Sequence, residues 1–267
     1  MMEATQRALQ FNCGGSSLVG ILDLPERPLS RGVLVVTSAP QYRIGNHRHF
    51  TLLARLLAAR GIPVMRFDHR GMGDSEGEAR TIDALGEDTQ AAMRAFFAQM
   101  PGMQDVVLWG LGDAATAAVL YAQADARVSG VVLLNPWMHT PGSAPRADGL
   151  PQLLARLGEL DFWKRVASDS GDGQASVAAR RQNMRAAAAD ASLPLPQRVL
   201  ASLSGFDGAA LVILGGDEPG AQHVDALLKR HEVRCKCVTI AGADRTFASR
   251  AWRDAVAEVS ANWIASW

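Results

Sequence analysis

The segment Leu108–Ala117, LWGLGDAATA, has the spacing of a nucleophile elbow. In such an elbow a strand, a tight turn of small residues and a helix lift one reactive Ser or Cys clear of the backbone, in the pattern G-x-S-x-G. That side chain attacks an acyl carbon after a neighbouring base has taken its proton. Here the central position is Gly112, which has no side chain to attack with, and Asp113 follows it in the first helical turn. Neither GGSSL near the start nor DSEGE further on restores the motif, because the first misses the spacing and the second lies in a loop. What survives is the helix start itself, whose backbone N–H groups attract negative charge. A second set of polar residues follows the third predicted strand, in QYRIGNHRHF, where Gln41, Tyr42, Arg43 and His47 are expected to rim the same pocket. His47 reads either as the base of a repurposed reaction or as a capping and packing residue of that loop. His69, in DHRGMGD, reads as a loop-shaping residue, and His139 and His223 as solvated ones.

The elements that must position these residues follow from switching periodicities. RALQFNC and SLVGILDL, separated by Gly14 and Gly15, read as a β-hairpin, since paired glycines supply the positive φ of a tight turn. GVLVVTS, IPVMRFD, DVVLW and VSGVVLLN are short, branched and continuously apolar, as strands buried on both faces are. Between them HFTLLARLLAAR has apolar residues at three and four spacing and ends at Gly61, and a second helix, capped by Thr81, runs through AAMRAFFAQM to Pro101. Regular alternation stops near Pro136, and residues 136–208 read as short helices broken by Pro and Gly, a helical lid inserted into a core formed by 1–135 and 209–267. Trp137, Phe162 and Trp163 of that lid are expected either to wall the pocket or to pack inside. The sheet resumes with AALVILGG and CKCVTI, and the last helix carries Trp252, Val256, Val259 and Trp263 on one stripe that docks on the sheet. Strand and helix alternate, so a mostly parallel sheet covered by helices on both faces is predicted.

Composition narrows the function classes. With 267 residues, 48% of them hydrophobic, the chain is long enough for one large core. Its 27 basic and 27 acidic residues balance, so no electrostatic footprint for nucleic acid exists and a small-molecule or protein partner is expected instead. The start, MMEATQRALQ, lacks the apolar core of a signal peptide and no apolar run spans a membrane, so the expectation is a cytoplasmic protein without membrane insertion. Cys13, Cys235 and Cys237 are too few and too uneven for a disulfide framework and read as buried structural thiols, with no metal site. No cofactor is expected, and a homodimer is allowed.

The order of FDHRGMGDSEG after a strand, a helix, and then LWGLGDAA resembles the α/β-hydrolase fold along nearly the whole chain. More narrowly, APQYRIGNHRHFTLLARLLA, MRFDHRGMGDSEGE, LLNPW and ADRTFASRAWRDAVAEVSANW resemble the hydrolases encoded beside exosortase A systems, a group linked to exopolysaccharide biosynthesis. That resemblance implies a Cys where this chain has Gly112 and a His where it has Arg245, and it leaves the acid position to Asp217 or Glu218 after the seventh strand. Arg245 stays protonated in water and cannot cycle a proton. The reading is therefore a degenerate member that binds a small anionic or acyl ligand without hydrolysis, with Gly112, Asp217, Glu218 and Arg245 as vestigial triad positions. The alternatives are a repurposed lyase, cyclase or isomerase that uses the inherited pocket, and an esterase or thioesterase with a nucleophile not identified in the sequence. Gly112 is expected to relieve backbone strain at the elbow, and Arg245 either to pair with Asp217 or Glu218 or to add a cation to the pocket.

Overall fold

Gly14 and Gly15, at φ 57° and 88°, turn strand β1 (Thr5–Cys13) back onto β2 (Ser16–Leu24) in unbroken antiparallel register from Thr5 opposite Leu24 to Cys13 opposite Ser16. β2 also pairs antiparallel with β4 (Val64–Phe67). From there the sheet is parallel, through β3 (Arg31–Val35), β5 (Asp105–Leu111), β6 (Val128–Leu134), β7 (Ala209–Gly215) and β8 (Lys236–Ile240). The eight strands lie in the order β1-β2-β4-β3-β5-β6-β7-β8 in the computed structural model, which describes residues 5–38, 41–136, 182, 185, 186 and 189–267. The α/β-hydrolase fold expected from the sequence is the fold observed.

Six helices cross over the described part of this sheet: α1 (His49–Ala59), α2 (Leu85–Gln99), α3 (Asp113–Ala122), α4 (Leu195–Gly205), α5 (Ala221–Arg230) and α6 (Arg250–Ile264). They divide between two apolar layers. Met93, Phe96, Ala118, Val199, Leu203 and Leu228 pack with one face of the sheet, and Phe50, Leu57, Val256 and Ile264 with the other. The stripe predicted for the last helix docks as expected, with Val256 and Trp263 buried and Trp252 and Val259 half-buried. α4 falls within the segment that the sequence reading assigns to a lid. Its Val199, Leu200 and Leu203 belong to the main core, packed beside α3. The predicted lid helices over 150–167 and much of 176–190 lie outside the described residues.

Topology fixes where a ligand can bind. β3 has β4 on one side and β5 on the other, so the chain leaves it in one direction for β4 and returns on the opposite side for β5. The loops after β3 and β5 therefore diverge at a crevice on the carboxyl edge of the sheet, the usual ligand position in open α/β sheets. Trp109 anchors this point from below. It is fully buried, donates from Nε1 to Ser260 Oγ at 3.2 Å, and meets the rings of His49 and Phe50 edge-on.

Thr81 does not cap α2 as expected. It precedes a single 3-10 turn, Ile82–Ala84, and makes no side-chain capping bond, while the α-helix proper begins at Leu85. The thiols of Cys235 and Cys237 are half-buried on the edge strand and its approach rather than buried in the core, and burial pushes the Cys237 thiol up to about 11.

Candidate functional site

β5 delivers Gly112 to the carboxyl edge, and α3 leaves from it at once. Two close approaches make this turn sharp. A Cβ on Gly110 would sit 2.7 Å from the backbone of Ala114 and Ala115, so only glycine lets the helix fold back over its own strand. The alanines of α3 then lie flat on the sheet. Gly112 itself is held at φ 62°, ψ −122°, a region that residues with a Cβ enter only under strain. Its N–H donates to Leu134 O at 2.8 Å, and its carbonyl accepts from Thr116 N at 3.2 Å. Among the described residues, no atom outside its immediate neighbours lies within 4 Å of where a Cβ would be. The geometry is that of a nucleophile elbow with an open seat. The N–H groups of the first turn of α3 have no partners inside the helix and point toward that side, with the half-buried Asp113 beside them.

The loop after β8 is built around Asp244 and Phe247. Asp244 Oδ1 accepts from Thr246 N at 2.7 Å, Thr246 Oγ1 at 3.0 Å and Ala248 N at 3.2 Å. Burial alone would raise the Asp244 pKa, but these donors and the N–H of Phe247 outweigh it and hold the carboxyl below the usual carboxylate range. Phe247, at φ 54°, turns its ring fully inside. Arg245 is left exposed at the bend. Its carbonyl accepts from Asn135 Nδ2 at 2.9 Å, while Asn135 Oδ1 accepts from Gly215 N at 2.8 Å and Asn135 N donates to Ile213 O at 2.9 Å. The buried Asn135, at φ 40°, thus stitches the ends of β6 and β7 to this loop. The loop after β7 joins the same assembly through Asp217 N, which donates to Ala243 O at 2.9 Å. The Asp217 side chain is exposed and Glu218 is half-buried. Among the described residues no salt bridge joins either carboxylate to Arg245.

The loop after β3 is placed as the sequence suggested, but its residues face different ways. Gln41 N donates to Ser38 O at 2.8 Å, and the Gln41 side chain is half-buried with a buried Oε1 that lacks a hydrogen-bond partner. Tyr42 is 42% exposed. Arg43 is turned away toward the loop after β4, where its guanidinium is bound by Asp68 and Asp74 and its N–H donates to Asp68 Oδ1 at 2.7 Å. The fully buried Asp68 makes that pairing structural. His47 is exposed at φ 52°, followed by Arg48 at φ 61°, and neither side chain caps α1. Trp137 lies outside the described residues, as do His139, Phe162 and Trp163. His223, expected to be solvated, is half-buried.

Two histidines, His49 and His69, are buried. His69 is fully buried, with Nδ1 3.4 Å from Asp88 Oδ2, in a cluster where Asp88 accepts from Arg70 N at 2.8 Å, from Arg70 Nε at 2.5 Å and from Cys13 Sγ at 3.4 Å. Burial holds the imidazole below its ordinary pKa. Burial raises and the surrounding donors more than reverse the Asp88 value, which falls to about 2. His49 at the start of α1 is lowered from 6.5 to about 3, by burial first and by the charge of Arg253 second. The loop-shaping role expected of His69 fits this packing. Among the described residues no group of three or more His, Cys, Asp or Glu side chains can hold a metal, and no helix is long and apolar enough to cross a membrane.

A family model described as "Serine aminopeptidase, S33" matches residues 43–202, a span that contains the elbow but ends before the loops of Asp217 and Arg245. No curated protein sequence matches the chain. Solved structures resemble it over almost all of its length. An esterase from Pyrococcus furiosus has a TM-score of 0.68 at 13% identity, covering 100% of this chain and 92% of that one. A dienelactone hydrolase from Anabaena variabilis has a TM-score of 0.66 at 14% identity, covering 99% and 98%. An α/β serine hydrolase without lid from Xanthomonas campestris has a TM-score of 0.63 at 19% identity, covering 98% and 97%. At such identities the likeness establishes the fold.

Proposed function

Starting from the fact that the chain belongs to the serine aminopeptidase S33 family, we propose that it is a member whose inherited pocket binds a small acyl or anionic ligand without hydrolysing it. One observation carries this reading. The backbone bends sharply at φ 62°, ψ −122°, no described residue fills the seat, and the residue in it is glycine. Acyl transfer in this fold needs an atom at that place to attack and a group near it that takes up and returns a proton. Gly112 supplies neither electrons nor a proton, and Arg245 remains a cation. In serine hydrolases loss of the nucleophile or of the His alone removes about a million-fold in kcat, and about 10³–10⁴ over water remains from binding and the oxyanion hole. The remaining parts are binding parts: first-turn N–H groups of α3, an exposed guanidinium at position 245, and Gln41, Tyr42 and His47 along the neighbouring loop. Asp113 opposes an anion there, which favours an acyl group or a singly charged carboxylate over a dianion. The motifs shared with hydrolases encoded beside exosortase A systems support a cytoplasmic role near exopolysaccharide biosynthesis.

The test has two arms. Wild-type protein treated with a fluorophosphonate probe should show no adduct by intact mass and no turnover of p-nitrophenyl butyrate. The double variant Gly112→Cys with Arg245→His should then gain turnover, because the loops that would hold both side chains are already built. Ester turnover by the wild type, or a probe adduct on another serine, would make it a hydrolase and overturn the reading. A lyase, cyclase or isomerase would reveal itself by an activity on a non-ester substrate that His47→Ala or Tyr42→Phe abolishes.

A further inference from the structure

The sheet has two edges, β1 and β8, and they are built differently. β8 is five residues long, starts with Lys236 and closely follows Arg234, and shortness and charge are devices that keep an edge strand from pairing. β1 runs for nine residues in unbroken register with β2, without proline or bulge, and Arg7 is its single charge. Among the described residues no strand pairs with its outer side, and Thr5, Gln6, Arg7, Ala8, Gln10 and Asn12 are exposed. β1 lies four strands from β5, roughly 19 Å away at 4.8 Å per strand, so this edge is remote from the elbow.

The hairpin turn decides which groups face outward. Gly14 and Gly15 both have positive φ and form a two-residue loop, whose flanking pair, Cys13 and Ser16, exchanges both backbone hydrogen bonds. Bonded and non-bonded pairs alternate from there. The odd-numbered residues of β1 therefore bond to β2, and Gln6, Ala8, Gln10 and Asn12 aim their N–H and C=O groups at the free edge. On the core face Leu9 and Phe11 pack against the main apolar layer, and Arg7 donates to Gln99 Oε1 at 2.9 Å. A two-fold interface needs a patch that complements itself, and β1 meets that condition. Laid antiparallel on a second β1 about an axis at Leu9, the strand pairs along its whole length, with Gln6 opposite Asn12 and Ala8 opposite Gln10 as bonded pairs. Outward groups thus meet outward groups. In the same register Leu9 faces Leu9 and Arg7 faces Phe11, an aromatic partner for the guanidinium rather than a like charge. The two arginines then lie about 14 Å apart along the strands, beyond the Debye length of physiological salt. We propose that β1 is the surface through which two copies of this chain associate, joining their sheets into one across a two-fold axis at Leu9.

Sedimentation velocity on the full-length protein tests this. Wild type should pass from monomer to dimer across micromolar concentrations. Ala8→Pro deletes an outward N–H that β2 does not use, so it should weaken association at least about tenfold, one hydrogen bond being lost from each copy. Charge exchange tests the register. Ala8→Glu with Gln10→Glu sets carboxylates opposite each other across the axis, and Ala8→Lys with Gln10→Lys sets ammonium groups there, so each double variant alone should be monomeric. Mixed in equal amounts, the two should form a heterodimer, which misfolded chains would not. Thr239→Glu, on the opposite edge, should leave association unchanged. A wild type that stays monomeric, a dimer that persists in Ala8→Pro, dissociation by Thr239→Glu, or charge variants that fail to recombine would each overturn the assignment.

Discussion

Gly112 and the glycines of the loop after β4 share a left-handed backbone and differ in what surrounds it. Gly71 and Gly73 have φ 70° and 53°, and a Cβ on either would overlap something fixed, the backbone of Glu78 and Ala79 in one case and the Asp68 carboxylate in the other. At Gly112, φ 62°, no described residue beyond its neighbours comes within 4 Å of where a Cβ would sit. The first two positions demand glycine twice, for conformation and for room. The third demands it only for conformation. One loop is an interlocked part of the scaffold, with Asp68, Arg43 and Asp74 knotted through it. The other is a platform kept clear.

The largest effect that would separate these regions is expected from Gly71→Ala, which adds a backbone overlap to a positive φ and should cost more than about 4 kcal/mol or prevent folding. Gly112→Ala should fold, so equal damage at the two sites would break the comparison. Next comes Asp88→Asn, which removes the buried carboxylate from Arg70 and leaves it only the exposed Glu87. Breaking such a pair should cost about 3 kcal/mol in urea denaturation. A smaller effect is set by pH. His49 and His69 titrate below the ordinary 6.5 in the folded chain, so below that pH the unfolded chain takes up protons that the folded chain refuses. Stability should fall by up to about 1.4 kcal/mol per pH unit for His49 as pH drops below 6.5 toward about 3, and His69 acts in the same direction. Asp88 acts in the same direction at lower pH, its contribution being present above its unfolded value near 3.8 and lost as pH falls through about 2. Urea midpoints at pH 7, 6 and 5 should show the slope, and His49→Phe should flatten it. The smallest expected change is at the elbow. Gly112→Ala should lose about 1 kcal/mol, the cost of a Cβ at positive φ, seen as a fall in Tm of about 2–4 °C. An unchanged or raised Tm would show that the seat is not strained.

Most of the fold was legible because local pattern and global position agree. Gly14 and Gly15 turn the first hairpin, continuous apolar runs lie inside a parallel sheet, and Gly61 ends α1 at φ 85°. The sharp turn from β5 into α3 was legible for the same reason, since strand, small residues and helix are contiguous. What spacing could not show is contact across long separations. Arg43 looked like a pocket residue because its loop follows β3, but its charge is spent on Asp68 and Asp74. Nothing near Arg43 in sequence announces those partners. The role of Asn135 in tying β6, β7 and the loop after β8 together depends on three backbone groups distant from it in the chain. Thr81 had the right type for a cap and the wrong backbone, because a 3-10 turn intervenes before α2.

The loop that carries Arg245 takes its shape from Asp244, Phe247 and a carbonyl gripped by Asn135. The course of the chain past position 245 is thus set by neighbouring side chains and by main-chain atoms that any residue there would supply.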